Sequence, residues 1–154
     1  MGTCNPRGEG DAYNGLYLKQ DELEAVVRNG EMIDVPVKTE HSGADIGRVI
    51  STFIDSRGAL QCVMEVDERS VAGSLAGGFV RDHIAADLSL GYVVDVQNSG
   101  DDRLRAGAKK VLEVSLVRKG ARDGCHITAY QDPGQSVVYT SSSTHDAWTD
   151  FDLK

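Results

Sequence analysis

Between residues 32 and 130 this chain carries several short runs of branched and aromatic side chains, broken by glycine-containing turns. In MIDVPVKTEH (32–41), Ile33, Val35, Val37 and Thr39 alternate with Asp34, Pro36, Lys38 and Glu40. A period of two marks a strand with one buried face. Pro36 cannot donate to a ladder, so an edge position or a bulge is expected there. DIGRVISTFID (45–55), SRG (56–58) and ALQCVMEV (59–66) read as a hairpin closed by a glycine turn. AYNGLYLK (12–19), AADLSLGYVVDV (85–96), KKVLEVSLVRK (109–119) and CHITAY (125–130) supply further strands, with turns at QNSGDDR (97–103) and GARDG (120–124).

Two segments read as helices. In QDELEAVVRNG (20–30), Asp21 is a good N-cap, Glu24 completes a capping box and Gly30 closes the end. In DERSVAGSLAGGFVRDH (67–83), Val71, Leu75 and Phe79 form one apolar stripe, while glycines 73, 77 and 78 predict a short or broken helix. Helix and strand alternate too irregularly for a doubly wound sheet. The pattern predicts a mainly β chain, a barrel or sandwich of about seven strands with two or more short helices outside. Residues 1–11 are expected as a loose N-terminal arm, 12–130 as the domain, and 131–154 as a polar C-terminal tail.

A chain of 154 residues fits one domain with a real core. Its net charge of −8, from 16 basic and 24 acidic side chains, argues against nucleic acid or an anionic membrane as the main partner. No apolar run approaches the ~20 residues of a membrane helix. The start, MGTCNPRGEGD, is too polar for a signal peptide, and Pro6 stands where a myristoylation signal wants Ser or Thr. Cys4, Cys62 and Cys125 have no metal-type spacing and read as reduced thiols of an intracellular protein.

Three polar side chains interrupt this pattern. Ser89 begins an oily strand, His41 ends another, and Glu113 lies inside a third. Strand parity sets Ser89 opposite Leu88, Leu90, Tyr92 and Val94, and Glu113 opposite Leu112, Val114 and Leu116. If the apolar sets fill the core, hydroxyl and carboxylate can share the outer surface. A serine hydroxyl is a poor nucleophile until an imidazole takes its proton, and a carboxylate holds that imidazole in one tautomer. Each residue also has a plain structural role open to it. Ser89 can bond to backbone, His41 can be a strand-end histidine, and Glu113 can pair with Lys109 or Lys110. His83, His126 and His145 are rival bases, His83 lying six residues before Ser89.

In order along residues 12–130, the chain resembles the capsid-maturation serine proteases, the herpesvirus assemblins and the prohead proteases of tailed phages. AYNGLYL is similar to the first assemblin strand, and EHSGADIGRV to the histidine segment. LSLGY is close to Leu-Ser-Leu of assemblins and Ser-Ile-Gly-Tyr of phage enzymes, and EVSLV to the phage Glu-Val-Ser-Val-Val. The resemblance implies an antiparallel β-barrel with Ser89 as nucleophile, His41 as general base and Glu113 as the group orienting it. Assemblins use a second histidine at the Glu113 position, so here the chain sides with the phage enzymes. KGAR (119–122) instead resembles the assemblin Gly-Arg-Arg loop, so Gly120, Ala121 and Arg122 would build the oxyanion hole through the Ala121 N–H and a water held by Arg122. Phage enzymes typically carry a proline-containing stretch there.

What the resemblance implies is a serine endopeptidase that cuts the internal scaffold, and itself, during capsid assembly, with no cofactor and no metal. Its partners would be the scaffold as peptide substrate and the shell of major capsid protein. It would act inside the procapsid, in a host nucleus or a bacterial cytoplasm. A homodimer is the oligomer implied, although assemblins carry further helices after this loop and here 24 unpatterned residues follow Tyr130. TSSSTHDA (140–147) has the small residues that self-cleavage sites favour in relatives. Two other readings stand beside this one. A catalytically silent barrel that binds capsid or scaffold would keep the fold without the chemistry. A thiol hydrolase would use Cys62 or Cys125, although Cys62 sits in a hydrophobic strand that reads as core.

Overall fold

The computed structural model describes residues 1–7, 18–94, 109–122 and 124–140. The first elements in chain order are β1 (Gly2–Asn5), α1 (Gln20–Arg28), β2 (Pro36–Thr39), β3 (Ser42–Ile54) and β4 (Leu60–Val66). They are followed by α2 (Val71–Arg81), β5 (Asp87–Val94), β6 (Lys109–Val117), β7 (Ala129–Tyr130) and β8 (Val138–Tyr139). The expected strand at 12–19 falls largely outside the described residues, as do the turn at 97–103 and residues 141–154.

Six strands form one sheet in the order β1-β4-β3-β2-β6-β5. The β3–β4 hairpin stands as expected, with Gly58 at φ 85° in its turn. The pairing departs from an all-antiparallel barrel at one place, since β2 and β6 run parallel. Pro36 is likewise not at an edge. It opens β2, which lies between β3 and β6, and its missing donor is tolerated at the first position of a strand.

The sheet curls until β5 and β1 nearly meet, and residues 125–128 fill the seam. Leu88 N–H donates to Cys125 O at 2.8 Å and Ile127 N–H to Ala86 O at 2.9 Å. On the other side Thr3 N–H donates to His126 O at 2.9 Å. The expected last strand, CHITAY, is therefore a seam of isolated bridges followed by the two-residue β7. This closure corrects the expectation of a loose arm. Residues Gly2–Asn5 are a fully buried strand, because the barrel needs β1 beside β4 to complete its wall. The tail is also shorter than expected, since β8 pairs with β7 and Thr140 N–H bonds Thr128 O. The core is one cluster that includes Leu23, Met32, Val37, Val49, Leu60, Cys62, Leu88 and Val114.

Both helices pack against β3. α1 starts two residues earlier than its sequence suggested. Lys19 is the N-cap, and the buried Glu22 accepts from the Lys19 N–H at 3.4 Å, so Asp21 lies in the first turn. α2 runs unbroken through Val71–Arg81 from Ser70, whose hydroxyl accepts from Gly73 N–H at 3.0 Å. Its expected core stripe faces out, with Val71 80% exposed and Leu75 and Phe79 also exposed. The buried face is Gly73 and Ala76. A Cβ on Gly73 would lie 1.9 Å from Asp67 O, so of the three glycines that weaken the helix Gly73 is one that close packing requires.

Gly47 marks the tightest point of the wall, in the middle of β3 between β2 and β4. A Cβ there would stand 1.9 Å from Glu65 O, which is backbone and cannot swing away. Gly47→Ala is expected to lower stability by about 1–3 kcal/mol in urea unfolding. Gly78→Ala, inside α2 with nothing within 4 Å of the new methyl, is expected to raise it by about 0.5–1 kcal/mol.

Candidate active site

β5 and β6 set two of the three polar side chains on one face by their register. Ser89 pairs with Ser115, and Gly91 with Glu113. The next pair is Tyr92 with Val111, so Leu112 is an extra residue, a β-bulge. The bulge corrects one expectation. Val114 and Leu116 are buried on the core face as parity required, but Leu112 is exposed. It also explains how Val111 still packs on the core two residues before Glu113. Gly91 has a definite purpose here, because a Cβ at that position would stand 2.1 Å from Glu113 Oε1. The glycine leaves the room in which the carboxylate lies.

The third side chain arrives from a different connection. β2 and β3 are joined by Glu40 and His41, with Thr39 paired to Ser42. Both linking residues have positive φ, 49° and 60°. Two-residue hairpins want this backbone and normally fill it with Asn or Gly. Held by Glu and His, it costs on the order of 1–2 kcal/mol per residue. Several bonds hold it. Glu40 N–H donates to Leu116 O at 3.2 Å, and Glu40 Oε1 accepts from Arg118 N–H at 3.0 Å. His41 N–H donates to Ser115 Oγ at 2.9 Å. On the far side Lys38 reaches Gly43 O at 2.9 Å and Asp45 at 3.0 Å.

So placed, His41 Nε2 lies 2.8 Å from Ser89 Oγ, and its Nδ1 bonds Glu113 Oε1. The second carboxylate oxygen, Oε2, accepts from the Ser115 hydroxyl at 2.6 Å. Ser89 and Glu113 are buried, while the imidazole is 44% exposed. The geometry thus joins hydroxyl, imidazole and carboxylate in one line at the barrel's outer wall. His41 is also the partly exposed strand-end histidine that the sequence left open. Ser89 bonds an imidazole, and Glu113 divides its oxygens between His41 and Ser115. Of the rival bases, His126 bonds Asp87 Oδ1 at 2.8 Å, and His83 lies in the turn after α2 at φ 58°. His145 lies outside the described residues.

The loop after β6 lies against the start of β5. Gly120 N–H donates to Asp87 Oδ2 at 2.7 Å, and a Cβ on Gly120 would stand 2.9 Å from Leu88 O. Glycine therefore lets the loop approach the strand one residue before Ser89. The Gly120 N–H is engaged by Asp87, which leaves the Ala121 N–H as the donor that the resemblance implies. Arg122 is buried and donates to the Tyr92 hydroxyl at 2.6 Å, its guanidinium 5.9 Å from the ring centre. Ala121, between them, is exposed.

Sequence reading did not single out Ser115, Gly91, Asp87 or Tyr92. Only Ser115 and Gly91 left a trace in the pattern, a hydroxyl and a glycine each two positions from a chosen residue in a strand. Asp87 and Tyr92 act through the 118–122 loop, whose placement no local pattern encodes.

The three cysteines offer no rival nucleophile. All three are buried and none forms a disulfide. Cys4 Sγ lies 2.6 Å from Cys62 Sγ, and the Cys125 thiol donates to Cys4 O at 3.3 Å. Burial, and then the bond to Cys62, pushes the Cys4 thiol well above its ordinary pKa, so its thiolate is disfavoured. Among the described residues no group of three His, Cys, Asp or Glu side chains is placed to hold a metal, and no helix is long and apolar enough to cross a membrane.

No family model matches the chain, and a search of curated proteins finds no match. A solved structure of KSHV protease in complex with a hexapeptide phosphonate inhibitor does match, with a TM-score of 0.57 and 18% identity. The match covers 85% of this chain and 64% of that one, so the chain spans less than two thirds of its neighbour's length. At that identity the likeness concerns the fold: a mainly β, nearly closed six-stranded sheet with two helices, similar to that of a herpesvirus protease.

Proposed function

We propose that this protein is a serine endopeptidase of the capsid-maturation type, working through Ser89, His41 and Glu113. The observation that carries the reading is the unbroken line from Ser89 Oγ through both ring nitrogens of His41 to Glu113. The fold it shares with a protease solved on a peptide phosphonate supports the same reading. The substrate is the internal scaffold of a procapsid, together with the enzyme's own chain, and the site of action is inside the shell of major capsid protein.

The chemistry follows from the geometry. His41 Nε2 takes the Ser89 proton as Oγ attacks the scissile carbonyl carbon. Glu113 accepts from Nδ1–H, which fixes the tautomer and balances the charge that forms on the ring. The Ala121 N–H and Arg122, steadied by Tyr92, stabilise the tetrahedral oxyanion; one well-placed donor is worth roughly 3–4 kcal/mol of barrier. The imidazolium returns its proton to the leaving amine. Water, activated by the same ring, then releases the acyl group. The alternative is a silent capsid- or scaffold-binding barrel, and the first experiment below separates the two.

A fluorophosphonate probe is expected to attach to Ser89, with the modified peptide identified by mass spectrometry. Ser89→Ala abolishes the label, and His41→Ala slows it by about a thousandfold or more. Iodoacetamide leaves the rate unchanged. An unlabelled wild-type protein with a normal melting curve would favour the silent barrel. Peptide-bond cleavage itself is read from intact mass over days, where wild type shortens and Ser89→Ala does not. Gly91→Ala, which drives a methyl into the Glu113 carboxylate, is expected to slow labelling on the order of a hundredfold while the barrel still folds.

A further inference from the structure

Ser115 is fully buried in the middle of β6, directly across the ladder from Ser89. A hydroxyl taken out of water costs about 1–3 kcal/mol unless it is bonded, and an alanine would fill a strand position without that cost. Both hydrogen bonds that its oxygen makes go to members of the proposed triad. The hydroxyl donates to Glu113 Oε2 at 2.6 Å and accepts the His41 N–H at 2.9 Å. One oxygen thus touches the acid by its side chain and the base by its backbone. We propose that Ser115 is a positioning residue, a fourth member of the site that fixes the Glu113 carboxylate and the strained His41 turn relative to each other. This inference rests on the reading of Ser89, His41 and Glu113 as a catalytic triad.

Directed valence sets the roles. An ionised carboxylate only accepts, so the proton between Ser115 and Glu113 belongs to Ser115. That leaves the serine lone pairs for the His41 amide, and the roles cannot be exchanged. With Oε2 tied to β6, the carboxylate cannot rotate away, and Oε1 stays aimed at Nδ1. With the His41 amide tied to the same oxygen, the positive-φ turn keeps its ring over Ser89. Remove the hydroxyl and both constraints go together. The Ser115 oxygen meets no substrate in this scheme, so its effect must pass through Glu113 and His41.

The test compares Ser115→Ala and Ser115→Thr with wild type in the full chain. Two readouts are used besides the melting curve, namely the fluorophosphonate labelling rate at Ser89 and the low-field proton NMR signal of the His41 Nδ1–H. Ser115→Ala is expected to slow the maximal labelling step by roughly ten- to a hundredfold, the loss of one charge-assisted hydrogen bond, with little change in the probe's half-saturating concentration. The low-field signal weakens or vanishes. Ser115→Thr, which restores a hydroxyl, recovers most of both. Equal labelling and an unchanged signal in Ser115→Ala would overturn the proposal. Should wild type not label, the serine-hydrolase reading falls, while the NMR signal still decides whether Ser115 holds the pair. If Ser115→Ala does not fold, Ser115→Cys takes its place, since a thiol of similar size is a weak donor and predicts the same losses.

Discussion

The site depends on the register between β5 and β6. A single-residue slip would turn every side chain of one strand to the other face. In the register observed, Leu88 and Leu90 meet Leu116 and Val114 toward the core, while Ser89 and Gly91 meet Ser115 and Glu113 on the outside. The buried leucines and valines therefore fix the polar set opposite them. The bulge at Leu112 then lets Val111 rejoin the core after the carboxylate has been placed. The same strand thus serves the core at both ends and carries Glu113 between.

Against that rigid pair, the imidazole is brought by the most strained two residues near the site. Glu40 and His41 occupy a backbone better suited to glycine, and only neighbouring groups make it tolerable. Those groups lie on β6 and the loop that follows it, through Leu116, Ser115 and Arg118. The parallel pairing of β2 with β6 is what brings them within reach, Lys38 lying beside Ser115 and Thr39 beside Leu116. Strain in the turn and order in the 118–122 loop are thereby linked, since Glu40 and Asp87 each accept one of that loop's amides.

Runs of branched side chains ended by turn residues made the β3–β4 hairpin, β5 and β6 legible, whereas only 36–39 of the 32–41 run is strand, its first part being a turn with Ile33 exposed and Met32 in the core. The three polar intrusions were legible as polar side chains breaking apolar runs, although Ser89 and Glu113 are themselves buried. Other features depended on distant parts of the chain. β1 carries a weak pattern of its own in GTCN, and only the closure of the barrel makes it a strand. The inward face of α2 departs from the apolar stripe, since Gly73, close against Asp67 O, and Ala76 are buried while Val71, Leu75 and Phe79 are exposed. A stripe rule assumes that the bulkiest residues face inward; close backbone approach reverses it. The contact of Gly120 with Asp87 likewise joins a loop to the start of β5, and no local pattern records it.

The identity of residue 113 follows from its neighbours more tightly than from any single resemblance. A neutral imidazole has one acceptor nitrogen, and a carboxylate has two oxygens with lone pairs to spare. At this position the side chain must accept from His41 Nδ1–H and from the Ser115 hydroxyl at once. Only the carboxylate can do both without leaving a buried donor unpaired. An imidazole at this position, with its single acceptor nitrogen, would serve His41 or Ser115 but not both. Glu113, Ser115 and Gly91 thus form one unit across two strands, the hydroxyl holding the carboxylate and the glycine leaving it room.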